Sequence, residues 1–359
     1  MKIAILGSRG IPAAYGGFET IVETLSRGLC RKGFTVFVSC ESRGFAISSY
    51  EGVGILRVPI LSLFRPFSEV LYDALSLLFA SFFCDIVYIL GYGSSFFYFI
   101  PKLLRRTLIV NPDGLEWKRR KFGRLSRSLL KVAEAVAVRS ASHVAADSEE
   151  IRKYLALKYR RRVEFLPYGV ARPQISASSS LDLAPDSYCL IVARLEPENN
   201  IDLMIQEFSR SKTSRQLVIV GDSASAAYKH RLIELADYRV KFLGAIYDKV
   251  LLDSIRAHSL IYLHGHEVGG TNPSLLESLA SGNAVVALDV PFNREVGGSA
   301  CLYFSKQEGS LADILDWLHS NPAEIRRLKL MAFNRYQSAY TEERMIASFC
   351  RFIDSIRDA

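Results

Sequence analysis

The chain has no pair of cysteines at C-x-x-C spacing. Its six cysteines (Cys30, Cys40, Cys84, Cys189, Cys301 and Cys350) are scattered over 359 residues. That spread excludes a disulfide-framed small domain and a zinc ribbon, and it predicts reduced thiols. There is no charged-then-apolar leader, because the sequence enters a strand pattern at once with KIAILG. No apolar run is long enough to span a bilayer. The longest uncharged run, 86–101, has 16 residues and includes glycines and serines, where a span needs roughly 18–20 apolar residues. The G-x-G-x-x-G fingerprint is missing as well, which argues against a nicotinamide-dependent oxidoreductase even though Glu41 ends the second strand pattern. These absences predict a cytoplasmic protein without a structural metal or a bound redox cofactor.

Negative charge is scarce in one half only. Residues 1–175 hold 26 Lys and Arg against 14 Asp and Glu, and the remainder holds 19 against 23. The excess of cations predicts that the first half meets something anionic. It is densest at 101–131, where ten basic residues face only Asp113 and Glu116 beside the apolar stretches 61–67, 77–83 and 96–100. Basic clusters next to Phe, Leu and Trp117 describe an interfacial membrane surface. No nucleic-acid-binding motif accompanies them, so nucleic acid is not expected as a partner.

At this length two domains are expected. Short apolar strands alternate with helical patterns at 2–7, 35–40, 53–60, 85–91, 107–113, 143–147 and 162–169, with helices such as 18–29 and 126–140 between them. The stretch 171–187, rich in Ser, Pro and Ala, reads as a linker. Strands then recur at 188–194, 216–222, 240–246, 260–265, 284–290 and 300–304, followed by helices from 311 onward. This predicts an α/β protein of two doubly wound, Rossmann-like domains, 1–170 and 171–341, facing across a cleft. A terminal helix, about 342–359, is expected to pack back on the first domain. Ligands of such sheets bind outside the carboxyl ends of the strands.

One stretch organises the second half: GHEVGGTNPSLLESLASGNAVVAL, residues 265–288. Thr271 or Asn272 suits an N-cap, Pro273 the first helical position and Gly282 a left-handed stop. The loop before the helix holds Gly269 and Gly270, so the amides of Ser274 and Leu275 are expected to face an open space that suits a phosphate. Glu277, one turn on, is placed to accept hydrogen bonds from a ribose. Taken alone, this stretch favours an ordinary capped helix over a phosphate site. Arg194 ends a strand on a polar loop, where it suits either a bidentate bond to a diphosphate or a surface ion pair. Gly16 and Gly17 open the first helix, where bare backbone can approach a phosphate. Asp113 lies in a loop that leaves a strand and can orient a sugar hydroxyl, act as a base or simply make an Asx turn. His264 and His266 lack further ligands nearby in sequence, which disfavours a metal and suggests a hydrogen-bonded pair.

Together GSRGIPAAYGGFET, NPDGLEWKR, ADSEEI, ARLEPENN and HGHEVGGTNPSLLESLASGNAVVA resemble glycosyltransferase family 4, which has the GT-B fold, and within it a rhamnosyltransferase-like subgroup. The resemblance spans nearly the whole chain and implies a retaining, metal-independent hexosyltransferase. It implies that Gly16 and Gly17 face donor diphosphate and acceptor, and that Arg194 binds the diphosphate. Glu277 would hold the ribose, Gly270, Thr271, Asn272, Ser274 and Leu275 would wrap phosphates and sugar, and Tyr247 would lie near the base. Asp113 falls where many members carry a histidine near the reacting sugar, and His266 is expected to line the substrate site. The chain departs from the pattern twice. Asn199 stands where a lysine is usual. Gly269 stands where the first of two glutamates eight residues apart contacts donor-sugar hydroxyls, which points away from glucose and toward a 6-deoxyhexose such as rhamnose from dTDP-rhamnose. The expected acceptor is a lipid-linked saccharide for cell-surface polysaccharide, met at the inner face of an anionic membrane. The competing readings are the oxidoreductase, and a two-lobed sugar-binding protein, which would normally be exported.

Overall fold

A computed structural model describes residues 1–13, 17–60, 65–112, 114–119, 122–175 and 183–358. The chain forms two compact units, one of Met1–Gly169 with Glu342–Ala359 and one of Val170–Thr341.

The first unit runs β1 (Lys2–Leu6), α1 (Gly17–Arg31), β2 (Thr35–Ser42), β3 (Ala46–Tyr50), β4 (Val53–Pro59), α2 (Arg65–Phe83), β5 (Ile86–Leu90), α3 (Phe99–Leu103), β6 (Thr107–Asn111), α4 (Arg124–Ser140), β7 (His143–Ala146), α5 (Glu149–Tyr159) and β8 (Val163–Phe165). Its sheet has the order β3-β4-β2-β1-β5-β6-β7-β8. Ile3–Leu6 and Ile86–Leu90 are buried, as expected for central parallel strands with both faces covered. Chain order reverses between β1 and β5, whose residues Ile3 to Leu6 pair with Ile86 to Ile89.

The sequence pattern places no strand at 46–50, and the edge of the sheet corrects it. β3 pairs antiparallel with β4. Glu51 (φ 46°) and Gly52 (φ 84°) both lie in the left-handed region, as the tight hairpin between these strands requires.

The second unit runs β9 (Tyr188–Val192), α6 (Ile201–Arg210), β10 (Gln216–Val220), α7 (Ala226–Leu235), β11 (Val240–Gly244), α8 (Lys249–Ala257), β12 (Ile261–His264), α9 (Pro273–Ala280), β13 (Ala284–Leu288), α10 (Pro291–Gly297), β14 (Cys301–Phe304), α11 (Ser310–Ser320) and α12 (Pro322–Ala339). Its sheet, β11-β10-β9-β12-β13-β14, is parallel throughout. The core joins Ile191, Met204, Phe208, Leu217, Leu263, Val286, Phe304 and Leu328.

The last helix, α13 (Glu342–Arg357), returns to the first unit. It buries Met345, Ile346, Phe349, Phe352 and Ile353, and the Phe349 ring meets Tyr88 edge-on at 5.0 Å. α1 admits it at Gly28, where an added Cβ would stand 2.1 Å from Ile346 Cδ1.

Candidate functional site

In the second unit, strand order reverses between β9 and β12. Their pairing covers only Ile261 with Cys189 and Tyr262 with Leu190. Beyond it each strand continues for two residues without a partner across the gap, the position where an open α/β sheet receives its ligand. Tyr262 crosses this opening, donating from its hydroxyl to Val192 O at 3.2 Å. Ser274 Oγ donates to the same carbonyl at 2.9 Å. The start of α9 is thereby fastened to the end of the strand that leads to Arg194.

Two loops meet at this edge, 193–200 after β9 and 265–272 after β12. Asn200 Nδ2 donates to Gly265 O at 2.8 Å, and Glu267 N donates to Glu198 O at 3.1 Å. Gly265 has no side chain for a steric reason: a Cβ there would lie 2.3 Å from Asn199 O. Within the first loop, Asn199 Nδ2 donates to Arg194 O at 2.7 Å. Asn199 is thus buried and shapes the arginine's backbone. The Arg194 side chain is 56% exposed, with Glu196 at a loose 3.5 Å.

The α9 start differs from expectation in its amides. Asn272 is the N-cap, and its Oδ1 accepts from Ser274 N at 2.9 Å. Its carbonyl accepts from Leu275 N at 3.1 Å. Both amides expected to face an open anion site are therefore used within the helix start. Thr271 is buried just before the cap. Gly270 and Gly269 precede it, and Gly269 has φ 142° with nothing within 4 Å of an added Cβ. The lack of a glutamate there is a backbone matter, because side-chain-bearing residues rarely adopt that angle.

Glu277 is held from behind by a residue the sequence did not single out. Arg256, on α8 and 3% exposed, places Nη2 2.5 Å from Glu277 Oε2. Asp253 stands on its other side at 3.6 Å and is itself paired with Lys249 at 2.6 Å. The four charges alternate in sign and end on Glu277, 14% exposed. Among the described residues, only its Oε2 is paired. The signal for Arg256 was weak, an arginine in the last turn of an amphipathic helix.

The histidines also correct an expectation. His264 and His266 are stacked, with centroids 4.5 Å apart and planes 15° apart, and are not hydrogen-bonded to each other. Among the described residues, neither ring nitrogen of His264 has a hydrogen-bond partner. Burial, reinforced by His266, holds His264 well below the usual imidazole range, so it is neutral. His266 contributes its carbonyl to Asn293 Nδ2 at 3.0 Å. Tyr247 follows β11 and is exposed. Among the described residues, no group of three or more His, Cys, Asp or Glu is placed to hold a metal.

In the first unit, Gly17 opens α1, while Gly16 and Asp113 lie outside the described residues. The loop after β1 is fastened by Ala13 N to Glu23 Oε2 at 2.7 Å. Around the β1/β5 reversal the structure gathers hydroxyls that sequence reading missed. Ser8, Tyr92, Ser94 and Ser95 are buried there, and among the described residues the side-chain oxygens of Ser8 and Ser95 have no hydrogen-bond partner. Asp73 of α2 is hydrogen-bonded to Ser94, and desolvation outweighs that bond and pushes its carboxyl up to about 7, with Glu69 adding to the rise. The run GYGSS after β5 was the available signal.

Comparison with known proteins agrees with this architecture. Residues 1–171 match the family model "Domain of unknown function (DUF1972)", and residues 178–335 match "Glycosyl transferases group 1". Among curated proteins none matches. Sucrose-phosphate synthase from Thermosynechococcus elongatus is similar over 99% of each chain, with TM-score 0.85 and 16% identity. The Anabaena protein HepE, solved with UDP and glucose, is similar over 99% of this chain and 100% of its own, with TM-score 0.79 and 17% identity. A trehalose-phosphate synthase from Burkholderia vietnamiensis is similar over 99% of each chain, with TM-score 0.75 and 12% identity. The fold is GT-B.

Proposed function

We propose that this chain, a glycosyltransferase, moves a 6-deoxyhexose, rhamnose in the first place, from a nucleotide-diphospho-sugar to a lipid-linked saccharide with retention at the anomeric carbon. One observation carries the reading. At the β9/β12 reversal an exposed guanidinium, Arg194, shares an edge with Glu277, whose carboxylate has one oxygen clamped and, among the described residues, the other unengaged. A nucleoside diphosphate presents the matching chemistry: two phosphates for the cation and ribose hydroxyls for the carboxylate. HepE, of the same fold, was solved with UDP and glucose, which supports a nucleotide-sugar donor here.

In this reading the bond between the anomeric carbon and the β-phosphate oxygen breaks. The acceptor oxygen bonds to that carbon on the same face, and its proton passes to the departing phosphate. Arg194 stabilises the charge that gathers on the diphosphate, with no metal required. Glu277 fixes the nucleoside, Tyr247 lies on the side of the base, and Asp113 orients the acceptor or the reacting sugar. The absence of a carboxylate at Gly269 favours a sugar with fewer hydroxyls to satisfy. The cationic first unit supports an acceptor held at an anionic membrane, on the inner face of the cell membrane during synthesis of surface polysaccharide.

The test is turnover of a panel of dTDP-rhamnose, UDP-glucose and UDP-N-acetylglucosamine, with cell membranes as the acceptor source. Transfer from dTDP-rhamnose into the lipid fraction is expected. A preference for UDP-glucose would overturn the donor assignment. Failure to turn over any of them, with no binding of UDP or dTDP, would overturn the reading as a whole.

A further inference from the structure

The first unit carries an apolar face that a protein in water would normally cover. In the first turns of α4, Leu125, Leu129 and Val132 recur at helical spacing and point outward. Leu125 is 76% exposed, and Leu129 and Val132 are each more than half exposed. The turn 95–97 packs against α4. It and α3 add Phe96 and Phe99, both more than half exposed, and Leu103 at 76%. An amphipathic helix of a globular protein turns such a stripe inward. Here the inward face is supplied by other residues, Ala133, Glu134, Ala137 and Val138.

The face is fixed in place from beneath. Glu134 is fully buried and accepts from Trp117 Nε1 at 2.9 Å, Tyr154 OH at 2.9 Å and Tyr159 OH at 2.6 Å, with Lys158 Nζ at 2.8 Å. This ties α4 to α5 and to the turn 116–118, while Lys131 stands over the Trp117 ring at 4.7 Å. The outward leucines are therefore a property of a packed helix.

The charges around the face have one sign. Lys102, Arg105, Lys118, Arg124, Arg127 and Lys131 belong to the same turns and helices. Between 96 and 132 the only acid among the described residues is Glu116, which Arg119 pairs at 2.7 Å. Exposed apolar side chains on elements rich in cations match the boundary between headgroups and acyl chains of an anionic leaflet. Each cation there strengthens partition by about fivefold. The face also adjoins the carboxyl end of β5, beside the buried hydroxyls of Tyr92, Ser94 and Ser95. We infer that the α3/α4 face is a membrane-docking surface that seats the first unit on anionic lipid, with Leu125, Leu129 and Phe99 inserted. This deepens the proposed function, since it rests on the lipid-linked acceptor, but it can be tested without one.

The test is co-sedimentation of the full chain with phosphatidylcholine vesicles, with and without phosphatidylglycerol, at low and high salt. Binding to the phosphatidylglycerol vesicles at low salt, reduced at least tenfold by high salt, is expected. Leu125→Ser with Leu129→Ser should cut that binding at least tenfold while leaving UDP or dTDP binding unchanged. These side chains are exposed, so the double variant should fold, and its thermal unfolding checks that it does. If it fails to fold, Lys102→Glu with Arg124→Glu carries the same expectation. Indifference of the wild type to phosphatidylglycerol, or full binding by the variants, would overturn the inference. So would a dimer of the free protein that these substitutions dissolve, because the face would then belong to a second copy. Vesicle binding without turnover of any nucleotide-sugar would leave the docking surface standing and remove the proposed function instead.

Discussion

Arg194 and Arg256 are both arginines near one carboxyl edge, and their surroundings give them opposite duties. Arg194 is exposed and weakly paired, so it is available for a ligand. Arg194→Ala should fold normally and weaken UDP or dTDP binding about tenfold to a hundredfold, the value of a charge-assisted contact of about 1.5–3 kcal/mol. Calorimetry on the folded variant measures this, and unchanged affinity would make Arg194 a surface residue. Arg256 is buried between two carboxylates, so it acts through Glu277. Removing one partner of a buried pair costs about 3–5 kcal/mol, and Arg256→Gln should lose stability on that scale. It should also flatten the preference for dTDP over its 3′-deoxy analogue, because a loose Glu277 no longer meets the 3′-hydroxyl of the deoxyribose. A variant that keeps the preference would show that the arginine only supports packing.

At the scale of elements, α9 was the most legible part of the chain. Its cap, its proline start and its stop after Ala280, with Gly282 at φ 69°, all follow from local chemistry. Local chemistry also explains the misplaced amides. The side chain that makes Asn272 a good cap is the one that occupies Ser274 N. Asn272→Ala should cost about 1 kcal/mol in urea unfolding. No loss of stability would mean that the tie between Ser274 and Val192 alone holds the helix start. The β3–β4 hairpin escaped notice because AISSY lacks the apolar weight of the other strands, and its turn signal was only Glu51-Gly52. Arg256 and the buried hydroxyls of the first unit escaped for another reason. Their roles come from partners 21 residues away for Arg256, or from a strand reversal, and periodicity reports neither.

At the scale of the molecule, the alternation of strand and helix gave two α/β units, because central parallel strands are apolar on both faces and announce themselves as runs. The outward leucines of α4 were illegible for the converse reason, since an apolar stripe in sequence ordinarily signals an inward face. The first unit is built from two distant pieces of chain, and their joint is narrow at Gly28. Gly28→Leu should overpack against Ile346 and cost about 1–3 kcal/mol. Hydrogen exchange should show the loss across β1–β8 and not across β9–β14. Equal loss in both sheets would mean that the two units unfold as one.

That split has a consequence for how the protein is made. Domains usually fold in the order in which the ribosome releases them. Here the order is inverted, because α13 is synthesised after every strand and helix of the second unit. Until it arrives, the groove on α1 and the Tyr88 ring lack their cover. The first unit is therefore the last of the two to have its whole chain synthesised.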